Sequence, residues 1–481
     1  MIGKIISHEW MVLVRDRALL IALPVYLAML IYAVFSATAW KNTLEDRTTA
    51  AVELASTNIA ARADTVERML SGERPYQIAG DARVAGAFAR HMGFEMAAKP
   101  PAPSAAIAVG QSDVSPSYLR VQWKPMFKQM NMDEIASPRM LEIGTFDLSF
   151  VIIYLYPLLI IAFSYNLLSS EREGGTQALL LSQPVSLSTF VIAKVLLRGG
   201  LIIGIGTLTT AAALLVGNPD MLGGDDLGRI VLFMAIVAAY GAFWFGLAIL
   251  VNALGARSAT NALALMATWI GLVIVIPAGL NLAAKSLYPL PSRIQMVQSL
   301  REGDAAARAQ ATGQGRIFNA DLLRKGEEEA LEAGTIEFLR RSMPLEQRGE
   351  ELAAPIFQEF EARKAAQQQF TLRLKYLSPA TIAQAALNDL AENGAETFAG
   401  FNRQVATYQQ QWRDYFRPFV FDTGYMTLEQ LRAVPRFSYH REPNADIVGR
   451  ALRECGGVLI WFALMLTAGL ALLRVYPRDS R

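Results

Sequence analysis

The sequence predicts a mainly α protein, with a six-helix transmembrane domain and a mostly helical extracytoplasmic domain built from two insertions. Hydrophobic residues make up 53% of the 481 residues, whereas charged residues make up only 18%. The apolar residues concentrate in six runs, and each run is about long enough to cross a bilayer as a helix. Two polar blocks interrupt these runs. Both carry apolar residues at intervals of three and four, which is typical of helices that bury one face.

The six runs divide the chain into segments. They are an interfacial N-terminal helix (1–17), the first span (18–39), a first insertion (40–145), the second span (146–168), an elbow (169–194), the third span (195–216), the fourth span (230–251), the fifth span (261–283), a second insertion (284–452), the sixth span (456–473) and a tail (474–481). An ordinary charged leader is the alternative for residues 1–17. Ala37-Thr38-Ala39 resembles a signal-peptide cleavage site, but the apolar run before it is longer than a usual signal core, so we expect an uncleaved anchor.

Both insertions carry apolar stripes at helical spacing. The stripe of the first insertion is Val52, Ala55, Ile59, Ala63, Val66 and Leu70. Its spacing indicates that the first span continues outward as a long helix. The stripes of the second insertion are Leu352, Ile356 and Phe360, and Phe401, Val405, Tyr408, Trp412 and Phe416. Because an apolar stripe needs a partner surface, we expect both insertions to pack into one helical body with Trp412 buried.

The basic residues of the short loops predict the orientation in the membrane. With six spans, all of them fall on one side: Lys4, Arg15, Arg17, Arg172, Lys194, Arg257, Arg474, Arg478 and Arg481. The loop at 217–228 falls on the other side and has no basic residue. Since cytoplasmic loops are enriched in Lys and Arg, both termini are predicted to be cytoplasmic and both insertions extracytoplasmic.

The most informative stretch is the elbow after the second span. Leu148 to Leu168 carries no charged side chain, and the chain then turns polar at Ser169-Ser170-Glu171-Arg172-Glu173-Gly174-Gly175-Thr176. A short apolar run, Gln177 to Leu181, follows and stops at Pro184, which cannot continue a helix. The elbow would therefore place charged groups just beyond one membrane face, where a soluble partner could bind them.

Five elbow residues are expected to contact such a partner: Glu171, Arg172, Glu173, Gly175 and Thr176. Carboxylates can pair with basic groups on a docked surface. Gly174 and Gly175 permit a backbone turn that other residues resist, and Thr176 could cap the short helix that follows. The alternative is that Glu171 and Glu173 only face water or lipid headgroups.

The elbow resembles the cytoplasmic loop of ABC-2-type transporter permeases. The resemblance rests on Glu171-Arg172-Glu173-x-Gly175-Thr176 and on Leu179-Leu180-Leu181-Ser182-x-Pro184-Val185-Ser186. A second resemblance is to the extracytoplasmic domain, of unknown function, of their subgroup with large insertions. It covers a stretch that includes Tyr376-Leu377-Ser378-Pro379, Phe401-Asn402-Arg403-Gln404 and Pro435-Arg436-Phe437. This subgroup is related to copper-enzyme-maturation and gliding-type permeases.

The resemblance implies a transmembrane domain of the ABC-2 exporter type in the bacterial cytoplasmic (inner) membrane. It also implies that the elbow docks on a separate ATP-binding ABC subunit, which would bind ATP and Mg. No catalytic residue and no cofactor are therefore expected in this chain. A second permease copy or a paralogue would complete a dimer, with the first and fifth spans as the first place to look for the contact. Gly200 and Gly204 form a G-x-x-x-G pair in the third span, which would serve either an internal contact or a dimer contact.

Several other functions are disfavoured by what the sequence lacks. It has no G-x-x-x-x-G-K-[ST] phosphate loop, so ATP binding by that route is not expected. We expect no acidic, basic or histidine side chain deep in any span, which argues against an ion-coupled secondary transporter. The net charge of +2 gives no reason to expect nucleic acid. The single cysteine, Cys455, excludes an intramolecular disulfide, and His8, His91 and His440 have no metal-ligand spacing.

Two functions remain. The first is the permease subunit of an exporter, coupled to ATP hydrolysis by a separate subunit. The second is an ATP-driven mechanical or scaffolding component that engages a periplasmic partner without transporting a small molecule itself. Membrane lipid is expected around the spans in both cases. One metal hypothesis stays open, because thioethers bind Cu(I), although methionine more often fills cores; it concerns Met126, Met130, Met132 and Met140.

Overall fold

The computed structural model describes residues 2–15, 17–74, 81–124, 146–176, 186–223, 226–311 and 328–475. Over these residues the fold is mainly α, with one two-stranded antiparallel sheet. Six helices are long and apolar enough to cross a membrane. The predicted mainly α fold with six candidate membrane helices is therefore confirmed.

The membrane helices are numbered in chain order, and the second and the fifth each contain one π-helical stretch. Their bounds are Arg17–Leu70 (first), Leu148–Phe150 with Val151–Leu155 and Tyr156–Ser164 (second), Leu187–Gly217 (third), Asp226–Ala253 (fourth), Ser258–Trp269 with Ile270–Val275 and Ile276–Leu287 (fifth), and Asn444–Val475 (sixth). A separate N-terminal helix, Ile2–Arg15, precedes them.

The fourth helix lies at the centre of the membrane domain. Phe233, Tyr240 and Phe243 on this helix are fully buried in the main apolar core. The sixth helix packs closely along it at Gly469, because a Cβ atom at Gly469 would lie 2.9 Å from the backbone nitrogen of Leu250. A glycine is therefore needed at this crossing.

The glycine pair of the third helix plays no such role within the chain. No atom of the described residues lies within 4 Å of a Cβ built on Gly200 or Gly204. The internal contact that the G-x-x-x-G spacing favours is therefore wrong, and the dimer alternative stays a prediction. The tight contacts between membrane helices occur at other glycines, as at Gly469.

Prolines explain the two π-helical stretches. In the second helix, Pro157 follows Ile153 by four residues and has no N–H to donate to its carbonyl, so the Tyr240 hydroxyl donates to it instead at 3.1 Å. In the fifth helix, Pro277 follows Leu272 by five residues, the π spacing, and the Ser378 hydroxyl donates to Leu272 O at 2.5 Å. Inside an apolar region, a backbone carbonyl that has lost its helical N–H needs another hydrogen-bond donor, and these hydroxyl groups supply it.

The first helix continues far beyond the membrane, as predicted. It has 54 residues without interruption at Pro24, and would be about 80 Å long at 1.5 Å per residue. Ala55, Ile59, Ala63 and Val66 are buried on its predicted stripe. The two ends of that stripe are wrong: Val52 is 45% exposed and Leu70 57% exposed, while Ala51 and Met69, one residue earlier, are buried. The repeat of 3.6 residues moves the buried face around the helix over this distance.

Both insertions contribute to one core, which we call the outer core because the insertions are predicted to be extracytoplasmic. Residues of the first helix, of strands β1 (Glu95–Ala98) and β2 (Tyr118–Val121), and of the helix Ala395–Pro418 pack together there. The strands pair antiparallel, with Glu95 opposite Val121. The predicted stripe of the Ala395–Pro418 helix, including Trp412, is buried in this core, as expected. Shorter elements nearby are Ala85–Ala87, Phe88–Met92, Pro103–Ile107, Phe419–Thr423 and Leu428–Arg432.

A helical hairpin extends from the fifth membrane helix. Its helices, Arg293–Ala311 and Glu328–Leu374, pack tightly where Gly303 meets Gly349, since a Cβ on Gly303 would overlap the Gly349 carbonyl. The stripe predicted here at Leu352, Ile356 and Phe360 is only half-buried. The residues buried here are Ala353 and Phe357, which directly follow Leu352 and Ile356 in the sequence. The partner helix decides which face is packed.

One helix of the second insertion packs among the membrane helices instead of joining the outer core. This tucked helix, Pro379–Leu390, follows the turn Lys375–Leu377 and buries Ile382, Ala383 and Leu387 against the fourth and sixth membrane helices. Sequence analysis assigned the whole of residues 284–452 to an insertion without foreseeing this packing. The helix is apolar on the side that meets the spans, which explains where it lies.

A buried junction connects the fourth membrane helix to both insertions. The Arg229 guanidinium donates to Glu392 at 2.7 Å, to Ser104 at 3.0 Å and to Asn444 at 2.8 Å. Glu392 has a φ of +53°, an unfavourable backbone conformation for a residue other than glycine. It ends the tucked helix in a Schellman motif, in which the Glu392 N–H donates to the Asp389 carbonyl and the Asn393 N–H to the Asn388 carbonyl, both at 3.0 Å. The ion pair of Arg229 with Glu392 therefore joins the fourth membrane helix to the end of the tucked helix.

Replacing Trp412 with Ala is expected to destabilise the outer core by roughly 3–5 kcal/mol. The ring packs against Phe88 and Phe416, with centroids 6.5 and 4.9 Å away, and its N–H donates to the Ala89 carbonyl at 3.3 Å. Denaturant unfolding followed by hydrogen exchange in residues 395–418 measures the loss. The control is Leu70→Ala at the end of the first helix, which is 57% exposed and should change stability by less than about 0.5 kcal/mol. Equal effects of the two changes would show that the stripe does not hold the core.

Candidate functional site at the elbow

The elbow begins with one short helix, Ser169–Glu173, directly after the second membrane helix and a turn at 165–168. It ends in a turn at Gly174 and Gly175. Gly175 has a φ of +71°, in the left-handed region that favours glycine, so the backbone turn predicted at the glycines is present. Residues 173–176 are exposed, whereas Glu171 and Arg172 are half-buried. The predicted helix at Gln177 to Leu181, its stop at Pro184 and its cap by Thr176 lie outside the described residues.

Glu171 is held from two sides. The Lys194 ammonium group, on the third membrane helix, lies 2.9 Å from its carboxylate, and the Thr176 hydroxyl donates to the same carboxylate at 2.5 Å. The Lys194 side chain is itself buried and lies 3.6 Å from Glu9 of the N-terminal helix. Glu171 therefore connects the elbow to the third helix and, through Lys194, to the N-terminal helix.

A second buried cation completes this group of charges. Arg198, one turn further along the third helix, donates from Nε to Glu9 at 2.6 Å. It also donates to the Phe163 carbonyl at 2.7 Å and to the Asn166 side chain at 3.1 Å, both near the end of the second helix. We call Glu9, Glu171, Lys194 and Arg198 the ionic cluster. Its two acids and two bases balance in formal charge, which reduces the cost of placing charges in an apolar region.

The ionic cluster bears on two expectations. Arg198 is the fourth residue of the predicted third span, near its end, so the expectation of no charged side chain deep in any span stays a prediction. Glu9, on the helix that was predicted to be interfacial, is only 2% exposed because it packs on the third helix. The spacing of Ile5, Glu9 and Leu13, which places all three on one helical face, is the sequence signal that could have indicated this contact.

Glu173 binds the start of the fifth membrane helix. Its carboxylate accepts hydrogen bonds from the Ser258 backbone N–H at 2.7 Å and from the Ser258 hydroxyl at 2.8 Å. The N-terminus of a helix has N–H groups without internal partners and a positive dipole end, so a carboxylate there is favourable. The Arg172 guanidinium donates to the Gly255 carbonyl in the preceding loop. The elbow therefore holds the beginning of the fifth helix.

An amide beneath the elbow strengthens this connection. Asn252, at the end of the fourth helix, accepts from the Leu168 N–H at 3.2 Å and donates to the Ser164 carbonyl at 3.0 Å. Asn261 of the fifth helix donates to Asn252 at 3.3 Å. The end of the second helix is thus hydrogen-bonded to the fourth and fifth helices next to the elbow.

A comparison with protein-family models adds the deciding observation: the model described as ABC-2 family transporter protein matches residues 4–474. The chain belongs to the ABC-2 transporter family. The resemblance inferred from the elbow sequence is thereby confirmed at the level of the family. No curated protein matches the chain.

The protein is therefore a multi-pass membrane permease of the ABC-2 family, a transmembrane component of a transporter. Permeases of this family typically work with an ATP-binding subunit. The five predicted elbow residues lie together at the end of the second helix, but sequence reasoning missed the residues that hold them: Glu9, Lys194, Arg198 and Ser258. Among the residues that the structure describes, no group of three or more His, Cys, Asp or Glu side chains could hold a metal ion. The methionine group at 126–140 lies outside those residues.

Replacing Glu9 with Gln should destabilise the permease by roughly 3 kcal/mol, because it leaves a buried cation without its carboxylate. Thermal or denaturant unfolding in detergent gives the size of the effect. Removing both charges, in Glu9→Gln with Arg198→Gln, should recover part of that loss. Ser7→Ala, an exposed and uncharged position on the same helix, serves as the control and should be close to neutral. If Glu9→Gln were as mild as Ser7→Ala, the ionic cluster would contribute nothing to the fold.

Proposed function

We propose that this permease transmits movement from a separate ATP-binding subunit to its membrane helices through the elbow, and thereby drives export. The observation that carries this proposal is the pattern of elbow contacts. Glu171 contacts the third helix, Glu173 contacts the fifth helix, and the elbow itself continues from the second helix. A force applied to the elbow would therefore reach three membrane helices at once.

The docking surface that we propose comprises Glu171, Arg172, Glu173, Gly175 and Thr176. Glu173 is the strongest candidate for direct contact, because it is exposed although its carboxylate already accepts two hydrogen bonds. A carboxylate has about four acceptor positions, so Glu173 can bind Ser258 and a basic group of the partner together. Glu171 is half-buried and would act mainly by fixing the elbow on Lys194.

The proposed assembly contains two permeases, identical or paralogous, above two ATP-binding subunits that carry the ATP and Mg. The fifth helix supports this proposal, because only 11% of its most apolar window is buried within the chain. Together with part of the first helix it would form the contact between permeases, and lipid would cover the remaining apolar surface. We place the complex in the cytoplasmic (inner) membrane with both termini and the elbow in the cytoplasm, as the basic loop residues favour.

A second candidate function is supported by the dimensions of the outer body, by which we mean the outer core together with the helical hairpin. The first helix of 54 residues and the hairpin helix of 47 residues extend well beyond what a bilayer requires. An ATP-driven component that engages a periplasmic partner mechanically would use such a body. Both candidates share the elbow, so a test of the elbow applies to both.

The charge of Glu173 tests the docking proposal. In a complex reconstituted with its ATP-binding subunit, Glu173→Lys should weaken association by at least about tenfold, which corresponds to about 1.4 kcal/mol, and should lower ATP turnover. Reversing the charge opposes both the partner's basic group and the positive end of the fifth helix. Binding titrations and ATP turnover are measured on the same preparations.

The matched control is Ser258→Ala, which removes one of the two hydrogen bonds to Glu173 but keeps the carboxylate exposed. It should reduce the stability of the permease slightly and leave association near the wild-type level. If Ser258→Ala lowers association as much as Glu173→Lys, the effect is internal to the permease. If Glu173→Lys and Glu171→Lys both retain wild-type association and turnover, the elbow is not the docking contact.

A further inference from the structure

The outer body contains a groove that the proposed transport mechanism does not use. It has a volume of about 900 Å³, within the range of pockets that enclose ligands. Its walls are the hairpin helix Glu328–Leu374, the helix Ala395–Pro418 and the non-helical segment 436–443. Every residue of this segment lines the groove, so the groove follows the segment along its whole length.

The first part of the segment 436–443 shows the alternation of an extended chain, and no strand of the described residues pairs with it. Exposure alternates along it: Phe437 and Tyr439 are half-buried and pack against Phe401, while Ser438 and His440 are exposed. A period of two is the signature of an extended strand.

Two side-chain contacts of the segment agree with an extended conformation. Arg436 donates to Glu95 at the start of β1, and Arg441 donates to the Pro101 carbonyl in the linker after β1. Glu95 and Pro101 are six residues apart, and Arg436 and Arg441 are five residues apart. Five residues of the segment therefore span about the same distance as six residues of the neighbouring strand and linker.

The backbone of the segment has the bonding pattern of a strand edge. The Gln404 side-chain amide donates to the His440 carbonyl at 2.8 Å and accepts from the His440 N–H at 2.9 Å. Both groups of His440 thus point in one direction, as they do in a strand that pairs with a neighbour. Gln404 lines the groove, so this edge faces the groove.

In an extended chain, the backbone groups of Ser438 and Glu442, two residues before and after His440, point to the same edge as those of His440. Among the described residues, neither the N–H nor the carbonyl of these two residues has a hydrogen-bond partner. An extended chain with free groups at alternate residues is a template for pairing with another strand.

The other walls of the groove are polar. Gln368 and Gln369 of the hairpin helix face the segment across the groove and offer amide groups. Arg403 lines the groove and is exposed, and no carboxylate among the described residues pairs with its guanidinium. Among the described residues, Arg441 also lines the groove without a carboxylate partner, whereas the two carboxylates of the lining, Glu396 and Glu442, are paired with Arg450. The groove therefore combines an extended backbone edge, amide side chains and two positive charges without a carboxylate partner.

We propose that this groove binds an extended, acidic polypeptide segment of a partner protein. The segment would pair as a strand with the backbone of Ser438 and Glu442 and place a carboxylate at Arg403. In this mode of recognition the main-chain hydrogen bonds supply affinity, and the side chains at alternate positions supply specificity. The proposal concerns the outer body and does not depend on how the elbow works.

The first test identifies a peptide and its charge requirement. A phage-displayed library of random peptides, about twelve residues long to exceed the length of the segment at ~3.3 Å per residue, is selected on the full-length protein in lipid nanodiscs. The dominant peptide is then synthesised with a fluorophore, and its Kd is measured by anisotropy. We expect an acidic consensus, a Kd at least tenfold weaker for Arg403→Glu, and an unchanged Kd for Arg417→Glu. Arg417 lies on the same helix outside the groove and is the matched control.

The second test asks whether the backbone pairs as a strand. Ser438→Pro removes the Ser438 N–H and suits an extended chain. It should weaken binding at least tenfold, whereas Ser438→Ala should not. Two further peptides are N-methylated, one at the odd-numbered amides and one at the even-numbered amides. Because only alternate amides of a paired strand face its neighbour, one of these peptides should lose binding and the other should keep it.

Four results would overturn the proposal. One is that no peptide is enriched. A glycan panel is then screened, and binding of oligosaccharides in the groove would show that its ligand is not a polypeptide. A second is equal binding by Ser438→Pro and Ser438→Ala, or by both N-methylated peptides. A third is equal binding by Arg403→Glu and Arg417→Glu. The last is slow hydrogen exchange of the Ser438 and Glu442 amides before peptide is added, which would mean that another part of this chain already covers the edge.

Discussion

The burial of two cations in the third membrane helix is the constraint on which the elbow end of the permease depends. Lys194 and Arg198 are nearly inaccessible to solvent, and an unpaired charge in such a place costs several kcal/mol. Glu9 and Glu171 supply the compensating charges from two other parts of the chain. Two separate elements, the N-terminal helix and the elbow, therefore have to lie against the third helix for the structure to form.

The position of the fifth helix follows from contacts at a few places. Little of its apolar surface is buried within the chain, so packing alone does not fix it. Glu173 holds its beginning through Ser258, and Ser378 holds its π-helical stretch through the Leu272 carbonyl. Because Ser378 starts the tucked helix, which packs on the fourth and sixth helices, the elbow and the outer part of the protein both act on this one helix. This arrangement would allow movement at the elbow to reach the outer side.

Local pattern was sufficient to predict much of this fold. The six apolar runs, the long first helix and the stripe with Trp412 each depend on residues close together in sequence, where helical spacing decides which face is buried. The ends of the stripes at Val52 and Leu70 were wrong because small departures from the assumed spacing accumulate along a helix. The elbow motif also predicted the ABC-2 family, since its glycines and charges lie within eight residues.

The contacts that hold the elbow could not be predicted in the same way. Glu9 and Arg198 are 189 positions apart, and Ser378 and Leu272 are 106 apart. Which residues meet over such distances is set by helix packing, and no periodicity in a single sequence records it. Arg198 and Glu9 were visible as unusual charges beside apolar residues, but their pairing required the packing of the N-terminal helix.

The ionic cluster joins the N-terminal helix, the third helix and the elbow, so we expect these three elements to move as one unit. The most direct measurement is the distance between spin labels at Met11→Cys and Gly174→Cys in a Cys455→Ser background, by pulsed electron paramagnetic resonance. Met11 is 51% exposed and Gly174 is exposed, so both sites accept a label. The account predicts one distance distribution that is the same without nucleotide and with ATP bound to the partner subunit, and that broadens when Glu9→Gln is added. A distance that changes with ATP, or that is unaffected by Glu9→Gln, would contradict it.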